Sequence, residues 1–404
     1  MILHLFNPEN DMALASFAPH FIPPRSARVM AADLSVLPAW WAGTGDAVLV
    51  DGEERGRQFA ALPASGLCAR VQWVVPDGCA GADAVRPWGW SPLLVQRLLS
   101  GGCPSGVLPD EAQLRRWRSL SHRSSAVRML AELTAAGAPL QRDWGRRLCG
   151  RSWYCTAEAD IVRRLNDCPD ALLKAPWSGS GKGLRMGRTG YVPPLSGWCR
   201  RLLHGQGGVV VEPIYDKAYD FAFEFEADGQ GGARYCGLSV FFTSPRGTYA
   251  GNWVAPEEVK ERWLARHLPA GMPDALRREV GACVARIFAR DYCGPLGVDM
   301  MLCRVPGRDG LCVHPCVEVN LRNTMGRVAG HLARLLAPGC EGRFVIDFFR
   351  ADGEAQADTL RRMRESPPGW TEGRVSSGFL SLTPVNGATH YRASLQAGGS
   401  CAPR

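Results

Sequence analysis

Two apolar, β-branched runs, Leu296 to Cys303 and Leu311 to Leu321, flank Pro306-Gly307-Arg308-Asp309-Gly310, and this pattern constrains the fold more than any other in the chain. Proline, glycine and aspartate supply turn geometry, so the runs form an antiparallel β-hairpin. Asp299 then returns opposite Glu318 if the tight turn centres on Arg308 and Asp309, or opposite Asn320 if it centres on Asp309 and Gly310. Either register keeps Asp299, Glu318 and Asn320 on one face. Opposed side chains on such a pair stand about 4.5–5.5 Å apart, which suits a shared hard cation such as Mg²⁺, or Mn²⁺ in its place, with oxygen ligands at roughly 2.0–2.1 Å. A lone Glu-x-Asn would read as a solvated polar face. The hairpin partner argues against that.

The chain has 404 residues, 46% hydrophobic and 21% charged, an ordinary globular balance with length for two or three cores. No stretch approaches the roughly 18 uninterrupted apolar residues of a membrane span, and Met1-Ile2-Leu3-His4 opens directly into a strand pattern. A cytoplasmic protein without membrane association is the expectation. Fifteen cysteines scattered along the chain read as reduced thiols, not as a disulfide framework. A net charge of +8 with dispersed arginines does not call for nucleic acid. Arg115-Arg116-Trp117-Arg118 and Arg361-Arg362 read as exposed helix faces.

Short strand patterns at Ile2 to Phe6, Ala47 to Val50 and Val71 to Val75, then a helix at Ser91 to Leu99, describe a small α/β domain. Asn7-Pro8-Glu9-Asn10-Asp11 follows the first strand, where open α/β sheets place ligands, or else it caps a helix. Helices are expected at Ala126 to Ala136, Ala157 to Asn166, Pro273 to Ala289 and Met325 to Leu336, and a strand at Phe344 to Phe349.

The strand Ala171 to Pro176, the segment Trp177-Ser178-Gly179-Ser180-Gly181-Lys182-Gly183 and the strand Leu184 to Arg188 form a second hairpin. Pro176 and Gly183 occupy positions that a Walker loop reserves for other residues, so the P-loop reading fails. A Gly/Ser loop can still converge backbone N–H groups on an anion, with Lys174 and Lys182 adding charge. Val209 to Tyr215 is a buried strand interrupted at Glu212-Pro213. Backbone groups of such a linker can read a purine edge, with Glu212 accepting from the exocyclic amine; a salt-bridged strand end is the alternative. Tyr219, Phe221, Phe223 and Phe225 alternate with Asp220, Ala222, Glu224 and Glu226, and the aromatic side is core.

Taken in order, the Lys174 strand, the glycine hairpin, the Glu212 strand end, Asp220, and Gly297-Val298-Asp299 followed by Glu318-Val319-Asn320 resemble the ATP-grasp superfamily of carboxylate-amine ligases. The resemblance runs from about Arg123 to Arg327. It implies a fold that is α/β overall and α+β in the ATP-grasp part: an N-terminal α/β pre-ATP-grasp domain (1–115), an ATP-grasp small lobe or lid (116–211), a large lobe with the metal hairpin (212–350), both with antiparallel sheets, and a C-terminal extension (351–404). It further implies that Lys174 contacts ATP phosphate, that Ser178, Gly179, Ser180, Gly181, Lys182 and Gly183 close over the triphosphate, that Glu212 and Tyr215 hold adenine, and that Asp220 holds ribose. Asp299, Glu318 and Asn320 would carry Mg²⁺. The implied activity joins a small-molecule carboxylate to an amine through an acylphosphate. Arg322 and Arg327 are the candidate cations for the migrating phosphoryl group. Two features depart from the family pattern: Gly297 stands where the peptide-ligase branch often places arginine, and the upstream phosphate-binding position falls to Arg123 or Arg128, undecided.

A kinase acting on a small acceptor and a nucleotide-binding module without turnover are the alternative functions. Cys312, His314 and Cys316 alternate on the Glu318 strand, but residues two apart on a strand splay about 7 Å and lack the Cys-x-x-Cys spacing, so zinc is not expected. Asn7 to Asp11 is expected to form part of the specificity wall.

Overall fold

The computed structural model describes residues 1–178, 183–188, 190–244, 247–399 and 401–403. The chain divides into two compact units: Met1–Leu114, Ala250–Glu257 and Asn323–Arg404 form the first, and Arg115–Tyr249 with Glu258–Arg322 form the second. Among the described residues no helix is long and apolar enough to cross a membrane.

The first unit contains a parallel sheet in the order Gln72–Val74, Ala47–Leu49, Ile2–Leu5, Ala84–Pro87. The fourth strand was not anticipated, because Ala84-Val85-Arg86-Pro87 is too short to show a period. Helices follow at Asn10–Ser16, Arg25–Asp33, Glu53–Ala60 and Pro92–Ser100. Pro92 opens the last of these at a position where its missing N–H costs nothing, and the Ser91 hydroxyl accepts from Leu94 N. Leu3, Leu5, Ala47, Leu94 and Leu98 bury the seam between sheet and helix. The same unit holds an antiparallel run in the order Tyr249–Val254, Gly342–Phe348, Tyr391–Ala397, Arg374–Ser381, Gly369–Thr371. Residues 351–404, expected as an extension, thus supply three of its strands and the helix Glu354–Glu365. Phe344, Phe379, Leu380 and Leu395 share one core with Leu34, Val36, Leu37 and Trp40.

The second unit carries two antiparallel sheet regions. The larger runs in the order Leu311–Asn320, Cys293–Arg304, Asp216–Asp228, Ala233–Thr243. Phe221, Phe223 and Phe225 are buried in it, and the helix Met272–Ile287 turns Leu276, Val280, Val284 and Ile287 inward, the apolar positions its periodicity selects. The smaller sheet has the order Trp153–Cys155, Val209–Pro213, Ala171–Lys174, Leu184–Met186, covered by the helices Glu158–Asp167 and Pro193–Gln206 through Ile161, Leu165, Leu195 and Cys199.

Candidate functional site

In the hairpin Cys293–Arg304/Leu311–Asn320, Asp299 lies opposite Glu318, and Gly297 lies opposite Asn320. The pairing reaches that register by a route the sequence did not show. Arg304 pairs with Leu311, so the connection is residues 305–310, with Gly307 (φ 73°) and Gly310 (φ 68°) in the left-handed region. The turn therefore centres one residue earlier than a turn on Arg308 and Asp309 and two earlier than a turn on Asp309 and Gly310. Met301 then faces His314, where continuing the Asp299–Glu318 ladder would give Cys316. Two extra residues are absorbed on the second strand around Pro315, which has no N–H for the ladder. An even offset preserves which face each side chain takes, so the acidic pair survives.

The neighbouring strand Asp216–Asp228 adds Glu224, opposite Gly297, to the same face. The sequence put Glu224 on the polar side of its strand but gave it no role. Asp299 is hemmed in: burial, then repulsion from Glu318 and Glu224, pushes its carboxyl well above the usual carboxylate range, against the pull of Arg322 and a hydrogen bond from Asn320. Asn320 Nδ2 donates to Asp299 Oδ2 at 3.0 Å, and Arg322 Nη2 donates to Asn320 Oδ1 at 3.0 Å. The strand ends at Asn320, so Arg322 reaches the amide from the following turn and not from a continued ladder.

Of the two upstream arginines, Arg123 is the one turned toward Glu318 and Ser178. It is buried at the start of the helix Arg123–Thr134, and its guanidinium donates to Glu318 Oε1 at 2.7 Å, to Ser178 Oγ at 2.6 Å, to Ser178 O at 2.9 Å and to Ala175 O. Arg128 pairs instead with Glu132 on the exposed side of that helix. Ser178 is thus tied directly to Glu318 through one side chain. Gly183 closes the other end of the glycine segment, with φ 75° and its carbonyl accepting from Ala175 N at 2.9 Å. Gly179, Ser180, Gly181 and Lys182 lie outside the described residues.

Lys174 and Glu212 form a buried ion pair at 2.6 Å, and Ser152 Oγ donates to the other Glu212 oxygen at 3.0 Å. Ser152 carries no motif that would have singled it out. Tyr215 stacks edge-on against His314, centroids 5.4 Å apart, and lines a cavity of about 850 Å³ with Pro213, Arg151 and Arg308. Asp220 accepts from Thr243 Oγ1 at 2.7 Å and pairs with Lys217 at 2.5 Å. Arg327 belongs to the first unit, in the helix Met325–Leu332, its backbone N–H donating to the capping Thr324 hydroxyl. In that unit also, Asn7 brackets Gly89, donating to its carbonyl at 2.8 Å and accepting from its N–H, while Glu9 pairs with Arg97 at 2.7 Å.

The cysteine and histidine residues on the hairpin disperse: Cys312 faces the Arg146 carbonyl, His314 faces Tyr215, and Cys316 faces the Ala126 carbonyl. Among the described residues no group of three or more His, Cys, Asp or Glu side chains is arranged to hold a metal. The oxygen cluster combines two carboxylates and an amide, and it fits a hard cation by its donor chemistry and by the mutual repulsion of Asp299, Glu318 and Glu224.

No protein-family model and no curated protein sequence matches this chain. Solved structures do. The biotin carboxylase domain of a 2-oxoglutarate carboxylase from Hydrogenobacter thermophilus, in complex with MgADP, ADP and bicarbonate, superposes with a TM-score of 0.50 at 12% identity, covering 100% of this chain and 86% of that one. N5-carboxyaminoimidazole synthetase from Staphylococcus aureus, with ADP, gives 0.49 at 10% identity over 100% and 94% of the two chains. The corresponding ribonucleotide synthetase from Thermus thermophilus gives 0.47 at 15% over 98% and 93%. The architecture is the ATP-grasp fold, a mixed α/β arrangement with one parallel sheet and extensive antiparallel sheet. At these identities the likeness establishes the fold the sequence motifs implied, and nothing finer.

Proposed function

We propose that this chain is an ATP- and Mg²⁺-dependent ligase that joins a small carboxylate to an amine through an acylphosphate, acting in the cytoplasm. The observation that carries the reading is the linked polar cluster on the hairpin: Asp299 opposite Glu318, with Asn320 held by Arg322 and Glu318 held by Arg123. Phosphoryl transfer asks little covalent chemistry of a protein and much positioning and charge compensation, and this cluster has the parts for both.

Asp299, Glu318 and Asn320 would hold Mg²⁺, or Mn²⁺ with the same oxygen preference. Bound there, the cation neutralises charge on the nucleotide phosphates. Arg123, forked between Glu318 and Ser178, fixes the carboxylate and the root of the glycine segment in one geometry, a task for which a planar guanidinium is suited. Arg322 is the candidate cation for the transferred group. Lys174 serves ATP phosphate, its partner Glu212 and Tyr215 serve adenine, and Asp220 serves ribose. Ser178 to Gly183 cover the triphosphate.

The test is release of ADP and phosphate from MgATP by the purified chain, challenged with pooled amino acids, short peptides and small carboxylates, beside Glu318→Gln, which keeps an acceptor for Arg123. Release that needs both a carboxylate and an amine, and that falls at least about a hundredfold in the variant, is expected. ADP formed without free phosphate would replace the ligase with a kinase. Tight MgATP binding without turnover would replace it with a binding module.

A further inference from the structure

We infer that the first unit carries a site for a small zwitterion, an α-amino acid or short peptide with free ammonium and carboxylate groups and an apolar side chain, in a cavity of about 1040 Å³ at the carboxyl ends of its parallel strands. Every lining residue falls between positions 5 and 101, so the cavity belongs to that unit alone. Arg25 and Arg28, three residues apart on the helix Arg25–Asp33 and so on one face, supply its cations. The carboxylates come from the strand ends: Glu9 lies in the loop after Ile2–Leu5, Asp51 follows Ala47–Leu49, and Asp77 follows Gln72–Val74. Arg25, Arg28, Asp51 and Asp77 are exposed, and among the described residues none of their side chains makes a hydrogen bond or an ion pair. Opposite charges that line one cavity without meeting leave a gap that a ligand carrying both signs can bridge, with a charge-assisted contact at each end.

Glu9 adds a buried acceptor to the carboxylate side. It is 3% exposed, its Oε1 accepts from Arg97 Nη1 at 2.7 Å, and its Oε2 has no hydrogen-bond partner. Burial, against its own backbone N–H and Arg97, holds the carboxyl above the usual carboxylate range. A buried oxygen in that condition costs free energy that a donor offsets. An ammonium group brings three N–H donors, enough for Glu9 and for Asp51 or Asp77, whose charges no arginine neutralises. Phe21, Val29 and Leu93 line the same cavity and give an apolar wall on which a side chain leaves water. The three carboxylates disfavour a simple anion and the arginines a simple cation, so a ligand of both signs is selected, and the volume admits one or two residues.

Binding at this cavity is independent of the ligase reading and needs no nucleotide. The experiment is isothermal titration of the full chain with phenylalanine, its N-acetyl derivative, its methyl ester, glycine and phenylalanylphenylalanine. Expected is one equivalent of phenylalanine, with the N-acetyl derivative, the ester and glycine each about tenfold weaker, since each lacks one of the three contacts. The double variant Arg25→Gln/Arg28→Gln should weaken phenylalanine about tenfold and leave the ester unchanged, and Asp51→Asn/Asp77→Asn should weaken phenylalanine about tenfold and leave the N-acetyl derivative unchanged. All four side chains are exposed and without partners among the described residues, so these substitutions spare the fold. Tighter binding of the dipeptide assigns the site to a short peptide; equal or weaker binding assigns it to the free amino acid. Absence of saturable binding, equal affinity for phenylalanine and both of its blocked forms, or indifference to both double variants overturns the site.

Discussion

Asp299 sits where an ionised carboxyl is costly, half-buried and facing Glu318 and Glu224. In the proposed function that carboxyl is the ligand of a cation that the protein alone does not supply. Asp299→Asn keeps the shape and an acceptor for the Asn320 amide while removing the charge. In metal-free protein at pH 7.5 it is expected to raise stability by about 1 kcal/mol and to abolish MgATP turnover, the exchange typical of functional sites. The sign follows from linkage. A carboxyl whose folded pKa is raised loses stability as pH rises above its unfolded value, so the variant's advantage grows with pH and fades on acidification. Urea denaturation in EDTA across pH 5 to 8 measures it, and a variant less stable than wild type would mean that the charge is already compensated.

The hairpin is the element in which sequence and structure agree for partly different reasons. A period of two placed Asp299, Glu318 and Asn320 on one face because face assignment survives any even shift in register. The shift itself was not legible, since a bulge at Pro315 depends on how the second strand meets its neighbours. Lys174 and Glu212 were singled out separately, but their ion pair comes from antiparallel pairing between strands whose contact the sequence does not encode locally. Arg123 and Arg128 are equivalent by composition; the helix turns one inward and the other out. Asn7 shows the same limit. Read as a ligand contact, its side chain also closes two hydrogen bonds on Gly89, 82 residues away. Asn7→Ala leaves the Gly89 N–H and carbonyl without that partner, and the expected cost is about 1–3 kcal/mol. A shift of the urea midpoint at constant slope would register it; an unchanged midpoint would mean that water replaces the amide freely.

At the scale of the molecule, the buried histidines set an acid limit. His122, His314 and His331 are each lowered to about 4, chiefly by burial, against an ordinary 6.5. The folded chain resists protons that the unfolded chain accepts, so each contributes stability that is complete above pH 6.5 and lost as pH falls toward 4. His331→Gln should flatten the stability profile in that window by about 1.4 kcal/mol per pH unit relative to wild type. Parallel profiles would show that His331 does not titrate there. The last 54 residues, beyond position 350, carried no motif, because their strands pair with partners in distant sequence. Tyr391–Ala397 is hydrogen-bonded to Gly342–Phe348 on one side and Arg374–Ser381 on the other, and buried Arg392 joins Asp347, Asp358 and Thr359. Truncation after residue 350 exposes Phe344 and the wall around Trp40; insoluble protein, or loss of near-ultraviolet circular dichroism, is expected, and a soluble product with native signal would contradict the shared core. That core also imposes an order of events on the ribosome. Leu34, Val36 and Trp40 emerge early and wait for Phe379 and Leu395, over three hundred residues later, whereas the second unit completes itself from an uninterrupted middle span but for eight residues. Until then Val48, Val50, Phe59 and Trp88 cover that early surface only in part, and the side that Phe379 and Leu395 will close stays open to association with other chains.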